Sequence, residues 1–352
     1  MEYNDNSKQE RERLKQRFID DYKIPIPVID DRAWDYYLKF YSDSTFMART
    51  RWEDLLYLIR RKFKGNISDF LDNFYKIRDI LISSIKCSKA YQMFNNQSDK
   101  IEKYKIINPK LRDISGKDIY NDSKVNKSFI SLDLMSANVQ ALNHMSLEFF
   151  GNQVINSIET PKMIYRKWIY NILKENNLAD ITEYFAGSKY LRQVIFGNCN
   201  PSRQIIIEKY LIGEAGLWIF ENTIKNIDPD AEIIVYAADE MIISTSSKDT
   251  IKQKTIIKAA KEYADKMGVY VVPEIFTLRQ LVFQTASEHL IKVYKKELQS
   301  GKVEYKGIPR NFAAQIYEHI NGIQEDPEGR DLMFYQEKEL SKFIDRIKFI
   351  KS

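Results

Sequence analysis

The chain has 352 residues, 44% hydrophobic and 13% aromatic, which supplies a core for one or two domains and argues against wholesale disorder. Its 54 basic and 49 acidic residues leave a formal charge of +5, which permits a polyanionic partner without requiring one. Two cysteines (Cys87, Cys199) and three histidines (His144, His289, His319) argue against a disulfide framework and a zinc cluster.

The N-terminal residues 1–22 are charged throughout and read as a solvated helix or frayed arm. After Pro25 and Pro27, the stretch DDRAWDYYLKFY is aromatic and helix-compatible. TRWEDLLYLIRRKF follows with apolar residues at 52, 55, 56, 58, 59 and 63, and its Arg60, Arg61 and Lys62, with Arg49, Arg51 and Lys64, form the densest basic cluster. That cluster reads either as a phosphate-gripping wall or as an ordinary solvated helix face. From Ile67 to Phe94 the spacing Ile67, Phe70, Leu71, Phe74, Ile77, Leu81 predicts one amphipathic helix.

The pattern then changes. SFISLDL at 128–134 predicts a short strand, VQALNHMSLEFF and PKMIYRKWIYNILKE predict helices, and a loop carrying Gly187 and the block FGNCNPSRQ leads into the long apolar helix IIIEKYLIGEAGLWIFENTI. Ile233–Tyr236 and Met241–Ser244 predict two strands meeting at a tight acidic turn. Residues 251–267 return to helix, Gly268 ends it, and VYVVPEIF predicts a further strand. The expected fold class is α+β, an antiparallel sheet with helices on one face. No apolar run approaches the roughly 18 residues of a membrane helix, so the expected location is cytoplasmic, with no membrane partner.

Two segments end an apolar run on an acid, LDLMSAN at Asp133 and YAADEM at Asp239 and Glu240. Each alone reads as a turn, a cap or a solvated hairpin tip. Together they supply the carboxylates that nucleotidyl transfer needs to hold hard divalent cations.

FISLDLMSAN resembles motif A, and YAADEMII motif C, of right-hand (palm) polymerases, above all reverse transcriptases and RNA-dependent RNA polymerases. The two aspartates lie 106 residues apart. The second acid of motif C is Glu rather than the usual Asp. GSKYLRQVIFGNCNPSRQIIIE stands where motif B belongs, without its usual wording, and 251–276 stands where motif D belongs. LDLMSANVQALNHM and FGNCNPSRQ also resemble, more loosely, phage-type single-subunit RNA polymerases.

The resemblance implies a helical fingers-like region over 1–124, a palm over 125–285 and a thumb-like region over 286–352. It implies polymerisation of NTPs or dNTPs onto a 3′ hydroxyl with Mg2+ or Mn2+, with nucleoside triphosphates and RNA or DNA as partners and room for protein partner subunits. Asp133, Asp239 and Glu240 become the catalytic and metal-binding residues. Asn138, Arg192, Gln193, Gly197, Asn198 and Arg203 become nucleotide-binding, with Lys189 and Gln204 nearby. Asn138, five residues after the motif A aspartate, reads as a sensor of the ribose 2′-OH or as the cap of the helix that follows. Three other readings stay open: a template-independent nucleotidyltransferase, a phage-type palm, and a non-catalytic polymerase-like subunit. The resemblance extends to standalone polymerases of antiviral defence.

Overall fold

The computed structural model describes residues 5–24, 28–29, 34, 38, 48–96, 99–116, 118–150, 159–246, 248–249, 251–322, 333–336, 339–342 and 347–351. Pro25, Pro27 and most of DDRAWDYYLKFY lie outside them; of that stretch Trp34 and Leu38 are described, and both are buried.

The N-terminal segment forms helix α1 (Asp5–Tyr22), as one of the two expectations had it, but it is not solvated. Leu14, Phe18 and Ile19 fall on one face and are fully enclosed, and Phe18 packs edge-on against Trp52 at 5.2 Å. The charges that made the segment look solvated are themselves buried: Lys15 pairs with Glu12 at 3.0 Å and Arg17 with Asp21 at 3.1 Å. Helix α2 (Ala48–Lys62) turns Trp52, Leu55 and Ile59 inward and leaves Arg60, Arg61 and Lys62 exposed.

Helix α3 (Ile67–Lys86) is capped by Asn66, whose side chain accepts from Asp69 N, and buries Phe70, Phe74, Ile77 and Leu81 as its spacing requires. It does not run to Phe94. The chain breaks at Cys87–Ser88 and restarts as α4 (Lys89–Asn96), because Ser88 Oγ donates to Ile85 O at 2.7 Å and accepts from Tyr91 N at 3.1 Å. One serine thus ends one helix and caps the next.

The remainder is built on an open antiparallel sheet. Its strands are β1 (Ser128–Leu134), β2 (Glu232–Tyr236), β3 (Glu240–Thr245), β4 (Val271–Gln284), β5 (Leu290–Leu298), β6 (Val303–Lys306) and β7 (Lys348–Lys351). Their order is β2-β3-β1-β4-β5-β6, with β7 added beside β4. The sheet therefore continues across residue 285, where the sequence placed the start of a thumb-like region. Among the described residues, Val28–Ile29 pairs with Met333–Gln336, which pairs with Glu339–Lys342, in a small separate sheet.

Strand alternation sorts the two faces. Ile130, Leu132, Met241, Ile243 and Ile275 point into the main core. There α9 (Pro201–Ile219) packs on β1 and β3, and α10 (Gln253–Met267) packs on β4. Gly268 closes α10 in the left-handed region, φ 67. Phe129, Ile242, Phe276 and Leu278 form a smaller apolar cluster on the opposite face. Continuing along the same strands, that face turns polar at Ser131, Asp133, Glu240 and Glu274.

Between β1 and β2 the chain passes through α5 (Ala137–Met145), α6 (Pro161–Glu175), α7 (Thr182–Gly187), α8 (Lys189–Gly197) and then α9. The segment expected to be a loop before α9 is thus mostly α8. Ser188 caps it by accepting from Leu191 N at 2.9 Å, and Leu191, Ile195 and Phe196 give it a buried stripe. The turn is confined to Asn198–Asn200, where Asn200 adopts φ 53 and Pro201 opens α9. Helix α11 (Ala313–Ile320) covers the far end of the sheet through Ile316. Among the described residues no helix is long and apolar enough to cross a membrane.

Candidate functional site

Asp133 and the acidic pair meet at one end of the sheet because β1 lies directly beside the β2–β3 hairpin. Asp133 is the register partner of Glu240, and Leu134 N donates to Asp239 O at 2.9 Å. The hairpin is closed by Ala237 N donating to Glu240 O at 2.9 Å. Its last β2 residue is pinned from below: Tyr236 Oη donates to Lys209 O on α9 at 2.5 Å. Gly213 makes that close approach possible, since a Cβ there would sit 2.7 Å from Tyr236 Oη.

Past Asp133 the chain turns through Ser136 at φ 52 into α5. Buried Gln140 fixes this corner. Its Nε2 donates to Met135 O at 2.9 Å and Tyr270 O at 2.8 Å, and its Oε1 accepts from Tyr270 N at 2.7 Å. Asn138 is thereby aimed at α9, where its Nδ2 donates to Glu208 Oε1 at 2.9 Å. Asn138 makes no side-chain cap to α5; that helix starts from Ser136.

The electrostatics are those of crowded acids. Although Asp133 is an exposed residue, its carboxyl is pushed up to about 7, first by the partial loss of water at this crowded end of the sheet, then by Asp239, Glu240 and Glu274, with Lys189 pulling the other way. Glu208, buried on α9, is pushed up to about 7 by burial first and Asp239 second, and the Asn138 bond offsets part of this. Glu240 is held by Ser131 Oγ, which donates to its Oε1 at 2.6 Å. Glu274 stands opposite Ser131 in register and pairs with buried Lys296 at 3.0 Å. Burial first, then Glu240, holds the Tyr120 hydroxyl protonated well above its ordinary range.

Two cations on α8, exposed Lys189 and half-buried Arg192, lie within electrostatic reach of Asp133. Lys189 and Arg192 are both held below their ordinary values by burial first, and both act on Asp133. Neither has an ion-pair partner among the described residues. Lys306 on β6 and Lys23 add to the positive field at Lys189.

No protein-family model matches the chain, and no curated protein or solved structure matches it.

The other expected nucleotide-binding residues are placed differently. Arg203 Nη1 donates to Phe94 O, so its guanidinium ties α9 to α4. Gln204 is buried, and its Nε2 bonds Phe196 O and Cys199 O. Gln193, Gly197 and Asn198 are exposed, and Asn198 Nδ2 closes back on Val194 O at 2.8 Å. These contacts describe the α8–α9 turn rather than a path to Asp133.

Carboxylate oxygens are the donors that magnesium or manganese takes, and the mutual repulsion around Asp133 is what a cation would relieve. The donor chemistry fits such an ion at Asp133 and Asp239. Among the described residues no three His, Cys, Asp or Glu side chains stand converged as ligands: Ser131 takes one oxygen of Glu240, and Asn138 takes one of Glu208. Glu208 and Glu274 were not singled out from the sequence. Glu208 carried a signal, a lone acid inside the apolar run IIIEKYLI, whereas Glu274 acquires its place from strand register alone.

A separate cleft of about 560 Å³ lies between α2 and α7, lined by Tyr22, Arg51, Tyr57, Arg61, Lys62 and Tyr184 among others. It shares no residue with the carboxylate cluster.

Proposed function

We propose that the chain is a palm-type polymerase that transfers nucleotides to a 3′ hydroxyl. The observation that carries this reading is the junction of β1 with the β2–β3 hairpin, where Asp133 on β1 and Asp239 in the hairpin turn, 106 residues apart in sequence, are brought side by side by the Leu134–Asp239 backbone bond. An acidic end of an antiparallel sheet, within electrostatic reach of two cations that have no ion-pair partner among the described residues, suits a triphosphate and the cations that accompany it.

In this reading Asp133 and Asp239 hold divalent cations, which would activate the attacking hydroxyl and stabilise the departing pyrophosphate. Glu240, tied to Ser131, lends charge to that end of the sheet. Asn138 stands beside the sugar, with Glu208 fixing the orientation of its amide. Lys189 and Arg192 meet phosphate oxygens through charge-assisted bonds. Nucleoside triphosphates and RNA or DNA are the partners, and the cytoplasm is the compartment.

Purified protein given Mg2+ or Mn2+, labelled NTPs and dNTPs in separate reactions, with and without template and primer, tests this directly. Product that requires divalent cation and Asp239 supports it, and template dependence separates polymerase from terminal transferase. The bond from Ser131 to Glu240 favours one second reading, a non-catalytic polymerase-like subunit. Absence of product under every condition would leave that reading in place and overturn the first.

A further inference from the structure

Helix α1 reaches the candidate site through a buried ionic network. Asp21 is wholly enclosed. Its carboxylate accepts from Tyr184 Oη at 2.6 Å and Ser188 Oγ at 2.8 Å, and it pairs with Arg17 Nε at 3.1 Å. The Arg17 guanidinium lies over the rings of Phe74, at 4.7 Å, and Tyr190, at 3.9 Å. Even with these donors, burial pushes the Asp21 carboxyl up to about 6.

Well-packed apolar side chains would hold two helices together at least as well, because enclosed ion pairs lose hydration that their attraction only partly returns. What this network supplies is direction. Ser188 Oγ donates to Asp21 and accepts from Leu191 N, so one hydroxyl fixes both the start of α8 and its angle to α1. The next residue is Lys189, and Arg192 follows one turn on. Tyr190, between them, is clasped by Arg17 and by Lys23 at 5.2 Å.

We propose that Asp21 is a positioning residue: acting through Ser188, it sets the first turn of α8 so that Lys189 and Arg192 receive the phosphate groups of the substrate opposite Asp133. This rests on the nucleotidyl-transfer reading, and the experiment keeps the two apart. Ser188→Ala removes the link, Ser188→Thr keeps the hydroxyl, and the double change Arg17→Leu/Asp21→Asn removes the network without leaving an uncompensated charge. Each is measured for melting temperature, for KM and kcat of nucleotide incorporation, and for binding of inorganic tripolyphosphate, with Lys189→Gln/Arg192→Gln as the control that should abolish that binding.

The expected result is a rise in nucleotide KM of about tenfold for Ser188→Ala and for the network double change, a parallel weakening of tripolyphosphate binding, a kcat within about threefold, and wild-type behaviour of Ser188→Thr. A fall in melting temperature with KM and tripolyphosphate affinity unchanged would overturn the proposal, since the network would then serve stability alone. Incorporation by the wild type with no effect of Ser188→Ala sinks the positioning role and leaves the polymerase reading. Tripolyphosphate binding that depends on Ser188, without any incorporation, does the reverse. Neither binding nor incorporation by the wild type removes both.

Discussion

Glu208→Gln isolates the electrostatic cost of the candidate site. Glu208 is only 5% exposed, and its carboxyl is raised from 4.5 to about 7 by burial and then by Asp239. The folded chain therefore keeps a proton that the unfolded chain gives up. Below about 4.5 both states are protonated and the group contributes nothing to the pH dependence. Between about 4.5 and 7 stability falls as pH rises, and above about 7 the full penalty is present. At about 1.4 kcal/mol per pH unit the penalty is on the order of 3 kcal/mol. Glutamine keeps the carbonyl that accepts from Asn138 and carries no charge. Denaturant unfolding with EDTA present, at pH 5 and pH 8.5, measures the difference. The variant should match the wild type within about 1 kcal/mol at the lower pH and exceed it by roughly 2–3 kcal/mol at the higher. A stability difference that is the same at both pH values would refute the reasoning, because it would mean that Glu208 does not change protonation on folding.

Three further perturbations, the last with a control, address separate parts of the molecule. Asp239→Asn should cut incorporation by about 10³-fold or more, as loss of several kcal/mol of cation-mediated stabilisation implies, while the melting temperature holds or rises because Glu208 and Asp133 lose a like-charged neighbour; steady-state kinetics with retained activity would show the wrong acid was chosen. Asn138→Phe should shift preference towards dNTPs roughly 2- to 13-fold from one lost hydrogen bond of about 0.5–1.5 kcal/mol, read by GTP against dGTP competition, and an unchanged ratio in an active variant removes Asn138 from sugar recognition. Gly213→Ala should lower stability by about 1 kcal/mol net, overpacking against the Tyr236 ring outweighing the gain in helix propensity. Gly197→Ala, with nothing within 4 Å of its added carbon, should not lower it; equal melting temperatures for the two would mean the Tyr236 anchor yields freely.

The elements legible in the sequence were those whose period had one explanation. SFISLDL occupies Ser128–Leu134 and PKMIYRKWIYNILKE occupies Pro161–Glu175 as read. The break at Cys87–Ser88 was hidden because apolar spacing continues across it while a single side-chain hydroxyl reroutes the backbone. Charge misled at α1, where Arg17 and Asp21 pair inside the protein and composition alone cannot tell a paired ion from a solvated one. The acids Asp133 and Asp239 were visible because each follows an apolar, strand-like run of sequence. The Ser131–Glu240 and Asn138–Glu208 bonds were not, since they depend on a strand register and a helix packing that no local pattern encodes. Arg203 and Arg192 look alike in sequence, yet Arg203 is tied to Phe94 O while Arg192 lies within electrostatic reach of Asp133, a distinction set by which side of the α8–α9 turn each occupies.

Strand β1 lies between two partners that are both synthesised long after it. It is complete at Leu134, β3 at Thr245 and β4 at Gln284, so a ribosome adding roughly 5–20 residues per second leaves it without its neighbours for about 6–30 s. Throughout that time a strand with Phe129, Ile130 and Leu132 offers two bare edges to any other nascent chain, the circumstance in which intermolecular pairing competes with folding. Ser131 and Asp133 interrupt its apolar run at alternate positions, and Lys124 and Lys127 precede it. Such polar and charged interruptions are what discourage a waiting strand from aggregating. The residues that shape the acidic end of the finished sheet thus also protect its central strand before the sheet exists.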